Sequence, residues 1–194
     1  MKLLLIRHGE TDWNIEKRIQ GSTDIPLNEN GRTQAVTLAN TLSLRPVPIS
    51  ALYTSPLARA AQTAQIISDK LSLPCQIVSD LREIEFGLWE GLCWEEVKLR
   101  YPEEFAAWYK NRRDTRPPEG ESYLDLLKRL VPALKKLIPN SKGEGDLAVV
   151  THSACIMSFL SLLYHTPLHE MAKRYPLTNT AITEITAEQI LYGL

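Results

Sequence analysis

The sequence predicts an α/β sandwich around a mostly parallel sheet. Short apolar runs alternate with segments whose apolar residues recur at helical spacing, the pattern of strands joined by crossover helices. No repeat, low-complexity stretch or long linker interrupts that alternation. A chain of 194 residues has the size of one domain with a sizeable core, so a single domain over residues 1–194 is expected.

Residues 3–6 read as a buried strand. Asn28 caps a helix in which Ala35, Leu38, Ala39 and Leu42 share one face. Residues 51–53 form a second strand, and Ser55-Pro56 predicts an N-cap followed by proline at the first helical position. Ala60, Ala61, Ala64, Ile67 and Leu71 give that helix its apolar face. Residues 76–78 form a third strand. Residues 94–111 are helical and aromatic, broken in two by Pro102, and belong to a small helical lid around residues 90–120. Residues 117–120 are a loop. Ser122-x-x-Asp125 resembles a capping box that opens a helix through Leu126, Leu127, Leu130 and Leu134, in which Pro132 predicts a kink. Residues 147–150 are a strand, 154–164 a helix and 181–186 the last strand.

Composition narrows the function. Lys plus Arg is 22 against 23 for Asp plus Glu, a net charge of -1, which provides no basic face for nucleic acid or an acidic membrane. Anion chemistry must then come from a few gathered cations. Cys75, Cys93 and Cys155 are scattered and odd in number, so buried free thiols in a reducing compartment are expected rather than a disulfide or a metal site. The apolar start ends at Arg7, too early for a secretory signal. The stretch 154–164 is interrupted by Ser158 and Ser161 and is too short to span a bilayer. A cytoplasmic protein with no nucleic-acid or membrane partner is expected, and a homodimer stays open.

Ligands of such sheets sit beyond the carboxyl ends of the strands. There the first strand delivers Arg7-His8, the second leads to Arg59 on the first helical turn, and the strand 147–150 ends in Thr151-His152-Ser153. Two arginines and two histidines converging on one edge make an anion site. The planar guanidinium fork suits a phosphomonoester, and neutral imidazole is a competent nucleophile toward phosphorus. Neighbouring arginines disfavour imidazolium and so keep His8 reactive. Glu83, after the third strand, is placed to supply the proton that the leaving oxygen needs.

At these residues the chain resembles the histidine phosphatase superfamily, the phosphoglycerate-mutase-like proteins. The resemblance is carried by Arg7-His8-Gly9-Glu10-Thr11-x-Trp13-Asn14, by Gln20-Gly21, and by Pro26-Leu27-x-x-x-Gly31-Arg32-x-Gln34-Ala35. It continues through Ser55-Pro56-Leu57-x-Arg59-Ala60-x-Gln62-Thr63-Ala64, Leu81-x-Glu83, Phe86-Gly87-x-Trp89-Glu90-Gly91, Pro118-x-Gly120-Glu121-Ser122 and Thr151-His152. It implies a three-layer α/β/α sandwich. It also implies a phosphohistidine on His8, Glu83 as proton donor and acceptor, and a phosphate pocket of Arg7, Arg59 and His152 with Asn14 as a further contact. No cofactor and no metal are implied. One departure is Ser153-Ala154, where the family commonly has a glycine pair; Ser153 can still cap the helix and offer its N–H to the substrate. The chain also stops at Leu194, soon after the last strand, leaving room for a missing terminal segment.

Other residues receive plainer readings. Glu85 is an exposed neighbour of Glu83, and His165 and His169 are structural. Trp89, Trp94, Tyr101, Trp108 and Tyr109 serve either as a substrate lid or as packing between short helices. Arg112, Arg113 and Arg116 form a basic run that is a solvated face unless a second anionic group on the substrate uses one of them. The expected function is a metal-independent phosphatase on small phosphorylated metabolites, similar to the α-ribazole phosphatase and broad-specificity branch. The alternatives are a cofactor-dependent phosphoglycerate mutase, which resembles longer chains, and a catalytically idle phosphate-binding module.

Overall fold

The computed structural model describes residues 1–140 and 145–193. The chain opens with β1 (Lys2–Arg7), the single-turn helix α1 (Asp12–Ile15), α2 (Glu29–Ser43), β2 (Ile49–Thr54), α3 (Ala58–Leu71) and β3 (Cys75–Ile77). Then come α4 (Trp94–Arg100), α5 (Pro102–Lys110), α6 (Tyr123–Asn140), β4 (Asp146–Thr151), α7 (Ser153–Leu163), α8 (Met171–Arg174), β5 (Ile182–Thr186) and α9 (Ala187–Tyr192). The strands form one sheet in the order β3-β2-β4-β1-β5. All neighbours are parallel except β5, which pairs antiparallel with β1 at the edge.

Strand periodicity separates the layers, since successive side chains point to opposite faces. Leu3, Leu5, Leu147 and Val149 face a core completed by Leu126, Leu130 and Leu134 of α6 and by Ile156 and Phe159 of α7. Leu4, Ile6, Ala148 and Val150 face a second core completed by Leu38, Ala39 and Leu42 of α2 and by Ala60, Ala64 and Ile67 of α3. A sheet buried on both faces explains why residues 3–6 of β1 and 147–150 of β4 are apolar without alternation. The result is the expected sandwich of helices, sheet and helices.

Local rules account for the starts of α2, α5 and α6. Asn28 caps α2 by accepting from Gly31 N at 2.8 Å. Pro102 opens α5 at its first position. Ser122 and Asp125 exchange reciprocal bonds of 3.0 and 3.2 Å at the start of α6, which runs through Pro132 as one helix.

Three expectations need correction. Helix α3 begins at Ala58 with Leu57 as an N-cap lacking a side-chain bond, not at Ser55-Pro56. The Ser55 hydroxyl is engaged elsewhere, 2.7 Å from His152 Nε2. The third strand lies one residue earlier than expected, at Cys75–Ile77. Of the three cysteines only Cys155 is buried, while Cys75 and Cys93 are partly exposed. Among the described residues no helix is long and apolar enough to cross a membrane.

Candidate active site

The parallel strands bring Arg7-His8, Ser55 and His152 to one edge of the sheet. The strand pairing extends past the strand ends: His8 N donates to Thr151 O at 3.1 Å and Ser55 N to Val150 O at 3.0 Å. Next to this edge lies a cleft of about 520 Å³, whose inner wall includes Arg7, His8, Asn14, Arg59, Glu83 and Ser153. His152 stands behind His8, fully buried, with the two ring centroids 5.2 Å apart.

The His8 ring has its Nδ1 2.7 Å from Gly9 O. A carbonyl can only accept, so Nδ1 carries the proton and a neutral ring keeps its lone pair on Nε2. Burial, then Arg59, then Arg7 hold the His8 pKa well below 6.5. The loop is pinned by Gly9 N donating to Thr63 Oγ1 at 3.0 Å. It also lies so close to α2 that a Cβ on Gly31 would stand 2.1 Å from Glu10 O. His152 is likewise held well below 6.5, by burial, then Arg59, then His8.

Arg59 is wholly buried. Its Nη1 donates to Thr23 O at 2.8 Å and its Nη2 to Gly21 O at 2.7 Å. Five N–H groups belong to a guanidinium; two go to these carbonyls, and the buried Nε of Arg59 has no protein partner. Arg7 repeats the pattern, with Nη1 donating to Leu177 O at 2.6 Å and a buried Nε without a partner. Each fork is thus fixed by main-chain carbonyls and keeps donors for an anion. Glu90 organises the Arg59 side by accepting from Ser22 N at 2.8 Å and from Thr23 N at 2.9 Å. Gly21 is required there: its φ is +52° and a Cβ would stand 2.0 Å from Glu90 Oε1.

Glu83 lines the same cleft as His8, with its carboxylate on the α7 N-terminus. It accepts from Ala154 N at 3.1 Å, Cys155 N at 3.2 Å and Ile84 N at 3.1 Å. It therefore satisfies two first-turn donors that have no partner within the helix and places its charge where the helix dipole favours it. This corrects the expectation for Ser153. The N-cap is His152 and Ser153 is the first helical residue, so Ser153 lines the cleft without capping, and its main-chain N–H has no partner within the helix. Glu85 instead pairs with Arg82 at 3.3 Å.

The outer wall of the cleft includes Phe86, Trp94, Phe105, Trp108, Tyr109 and Arg112. The Arg112 guanidinium lies 4.6 Å from the Trp108 ring centroid and 4.8 Å from that of Tyr109. Of the basic run, only Arg112 lines the cleft; Arg116 pairs with Asp125 at 2.7 Å. The aromatic group divides, since Trp89 is fully buried core while Trp94, Trp108 and Tyr109 both pack and line the cleft. Among the described residues no three His, Cys, Asp or Glu side chains gather as a metal-ligating cluster.

Sequence reasoning missed how Ser55, Thr63, Glu90 and Asn179 serve the site. Thr63 and Glu90 lie within the motifs, but their partners are 54 and 67–68 positions away. Asn179 lies in no motif.

A model of the histidine phosphatase superfamily (branch 1) matches residues 3–190. A metal-independent phosphoserine phosphatase of Arabidopsis thaliana is 39% identical over 157 residues, 80% of this chain and 65% of that protein. A mycobacterial glucosyl-3-phosphoglycerate phosphatase, solved with VO3, superposes with a TM-score of 0.83 at 29% identity over 95% of this chain and 90% of its own. An Escherichia coli chain proposed to be an alpha-ribazole-5'-P phosphatase gives a TM-score of 0.83 at 28% identity, covering 95% of this chain and 89% of its own.

Proposed function

The chain belongs to the histidine phosphatase superfamily, and we propose that it is a metal-independent phosphatase that moves the phosphoryl group of a small metabolite through His8 to water. The observation that carries the reading is the His8 ring. Its Nδ1 is tied to Gly9 O, its Nε2 keeps a lone pair, and Arg7 and Arg59 flank it at the inner end of the cleft.

In the first step Nε2 attacks phosphorus, an N–P bond forms and the ester P–O bond breaks. Glu83 in its protonated form gives its proton to the departing oxygen and is left as the carboxylate that the α7 amides hold. Arg7, Arg59, Asn14 and Ser153 N–H hold the phosphoryl oxygens throughout, so that catalysis is mainly positioning and electrostatics. His152, behind His8 and beside Arg59, supports the same pocket. In the second step Glu83 takes a proton from water, whose oxygen attacks phosphorus. The N–P bond breaks, phosphate leaves and His8 is restored. No step needs a metal, and the Arabidopsis relative is a metal-independent phosphoserine phosphatase.

Helices α4 and α5, within residues 90–120 of the one domain, form the lid over the leaving group. Arg112 offers a second anion site there, which favours substrates that carry a carboxylate or second phosphate besides the ester. A cytoplasmic setting fits such metabolites. The test is a panel of phosphorylated metabolites assayed with EDTA present. Free phosphate is expected. Isomerisation of 3-phosphoglycerate in the presence of bisphosphoglycerate, without phosphate release, would make the protein a mutase. No turnover of any ester would leave an idle binding module.

A further inference from the structure

The segment between α8 and β5 wraps the backbone of Arg7 and His8. Thr180 N donates to Arg7 O at 3.1 Å and to His8 O at 3.3 Å, and Arg7 N donates to Ala181 O at 3.1 Å. Thr180 adopts a left-handed φ of +59° to do so, a conformation that is costly for a β-branched residue. At its centre Asn179 Nδ2 donates to His8 O at 3.1 Å and to Asn14 Oδ1 at 3.2 Å. Asn14 Oδ1 also accepts from Thr11 N at 3.0 Å and from Thr11 Oγ1 at 3.2 Å.

Amide orientations are ambiguous unless an obligate partner fixes them, and here two such partners do. His8 O can only accept, so the Asn179 group facing it is its NH2. Thr11 N can only donate, so the Asn14 atom facing it is its carbonyl oxygen. The two assignments agree, because the Asn179 NH2 then meets the Asn14 oxygen. With three donors gathered on Oδ1, the Asn14 NH2 is the end left for the cleft that Asn14 lines.

We propose that Asn179 is a positioning residue: its NH2 bridges the His8 carbonyl and the Asn14 side-chain oxygen, fixing the nucleophile's main chain and presenting the Asn14 NH2 as a phosphate donor. This rests on the reading of the cleft as a phosphate site. A carboxylate at position 179 has only acceptors. Placed against two oxygens, it draws the Asn14 NH2 toward itself and away from substrate.

The test compares Asn179→Asp, Asn179→Ala, Asn14→Ala and the double alanine variant. Three quantities are read per folded molecule: kcat/KM, the inhibition constant of vanadate, and the affinity for inorganic phosphate by calorimetry. Loss of one hydrogen bond to a charged group predicts a roughly ten- to hundredfold fall in phosphate affinity for Asn179→Asp, with a smaller fall for Asn179→Ala. In the double variant the two alanine effects should add to less than their sum. Should the Asp variant fail to fold, the alanine cycle carries the same test. A purely structural role would lower Tm while leaving phosphate affinity and kcat/KM unchanged, and either that result or strict additivity overturns the proposal. A wild type that binds no phosphate would overturn the phosphate-site reading as well, whereas unaltered binding by the Asn179 variants would overturn this proposal alone.

Discussion

The inner and outer ends of the cleft are built by different means. At the inner end His8 is 4% exposed and Arg59 and His152 are 0% exposed, and main-chain atoms hold Arg7, His8, Arg59 and Glu83 in place. Carbonyls fix both arginines, amides fix Glu83, and Gly9 O fixes the His8 ring. At the outer end rings hold rings. Trp94 and Trp108 stack at 5.3 Å with an interplanar angle of 18°, and Arg112 lies over Trp108 and Tyr109. Main-chain anchoring gives one geometry, suited to a step shared by every substrate. Ring packing tolerates rearrangement and suits the part of the site that meets different leaving groups.

The largest expected effect sharpens this contrast at the inner end. Removing the two or so charge-assisted bonds of Arg59, at roughly 1.5–3 kcal/mol each, predicts a loss of about 10²–10⁴ in kcat/KM for Arg59→Ala. The loss should be nearly the same for every ester, measured as phosphate release. A loss confined to one substrate would move Arg59 into the specificity wall.

Next comes Glu83→Gln. An alkyl phosphate expels a strongly basic oxygen and should lose about 10²–10⁴ in kcat/KM, while p-nitrophenyl phosphate, with a good leaving group, should lose much less. The comparison uses kcat/KM because that constant stops at the first irreversible step. Gln also turns an NH2 toward the α7 amides. The cost of a lost cap is about 1 kcal/mol, expected as a Tm lower by roughly 2–4 °C. Equal losses for both esters would remove Glu83 from the acid role.

At the outer end Arg112→Ala should raise KM about tenfold for substrates with a second anionic group while leaving kcat and the hydrolysis of p-nitrophenyl phosphate nearly unchanged. A fall in kcat for all substrates would erase the distinction between the two ends. The smallest effect is on pH. His8 is held neutral by burial and by two arginines, so the His8-dependent limb of kcat/KM should stay flat as pH falls through 6.5 and drop only below. Stability has the same sign. The unfolded chain takes up protons near 6.5 that native His8 and His152 refuse, so their contribution is full above that pH and is lost as pH falls below it. Urea unfolding at pH 7.5 and 5.5 reads this directly.

The elements legible in the sequence were those governed by local periodicity or capping, such as β1, α2 with Asn28, and α6 with Ser122 and Asp125. His8, Arg59 and His152 were legible because each follows a strand end, and parallel strands deliver their ends to one edge. Distant partners were not legible. Ser55 looked like a helix cap, yet His152, 97 positions away, engages its hydroxyl. Ser153 looked like a cap, yet the carboxylate on α7 comes from Glu83, 71 positions before the Ala154 N–H that it accepts from. Asn179 reaches His8 across 171 positions, and no spacing rule signals such a contact.

The most direct test of the phosphohistidine route is a rapid quench of turnover with phosphate-labelled ester in the presence of EDTA. Label is expected on the protein during the first turnover, lost in acid and retained in alkali, located on the peptide that holds His8 and absent from His8→Ala. An active enzyme that never carries label, or a His8→Ala variant that keeps its activity, would contradict it.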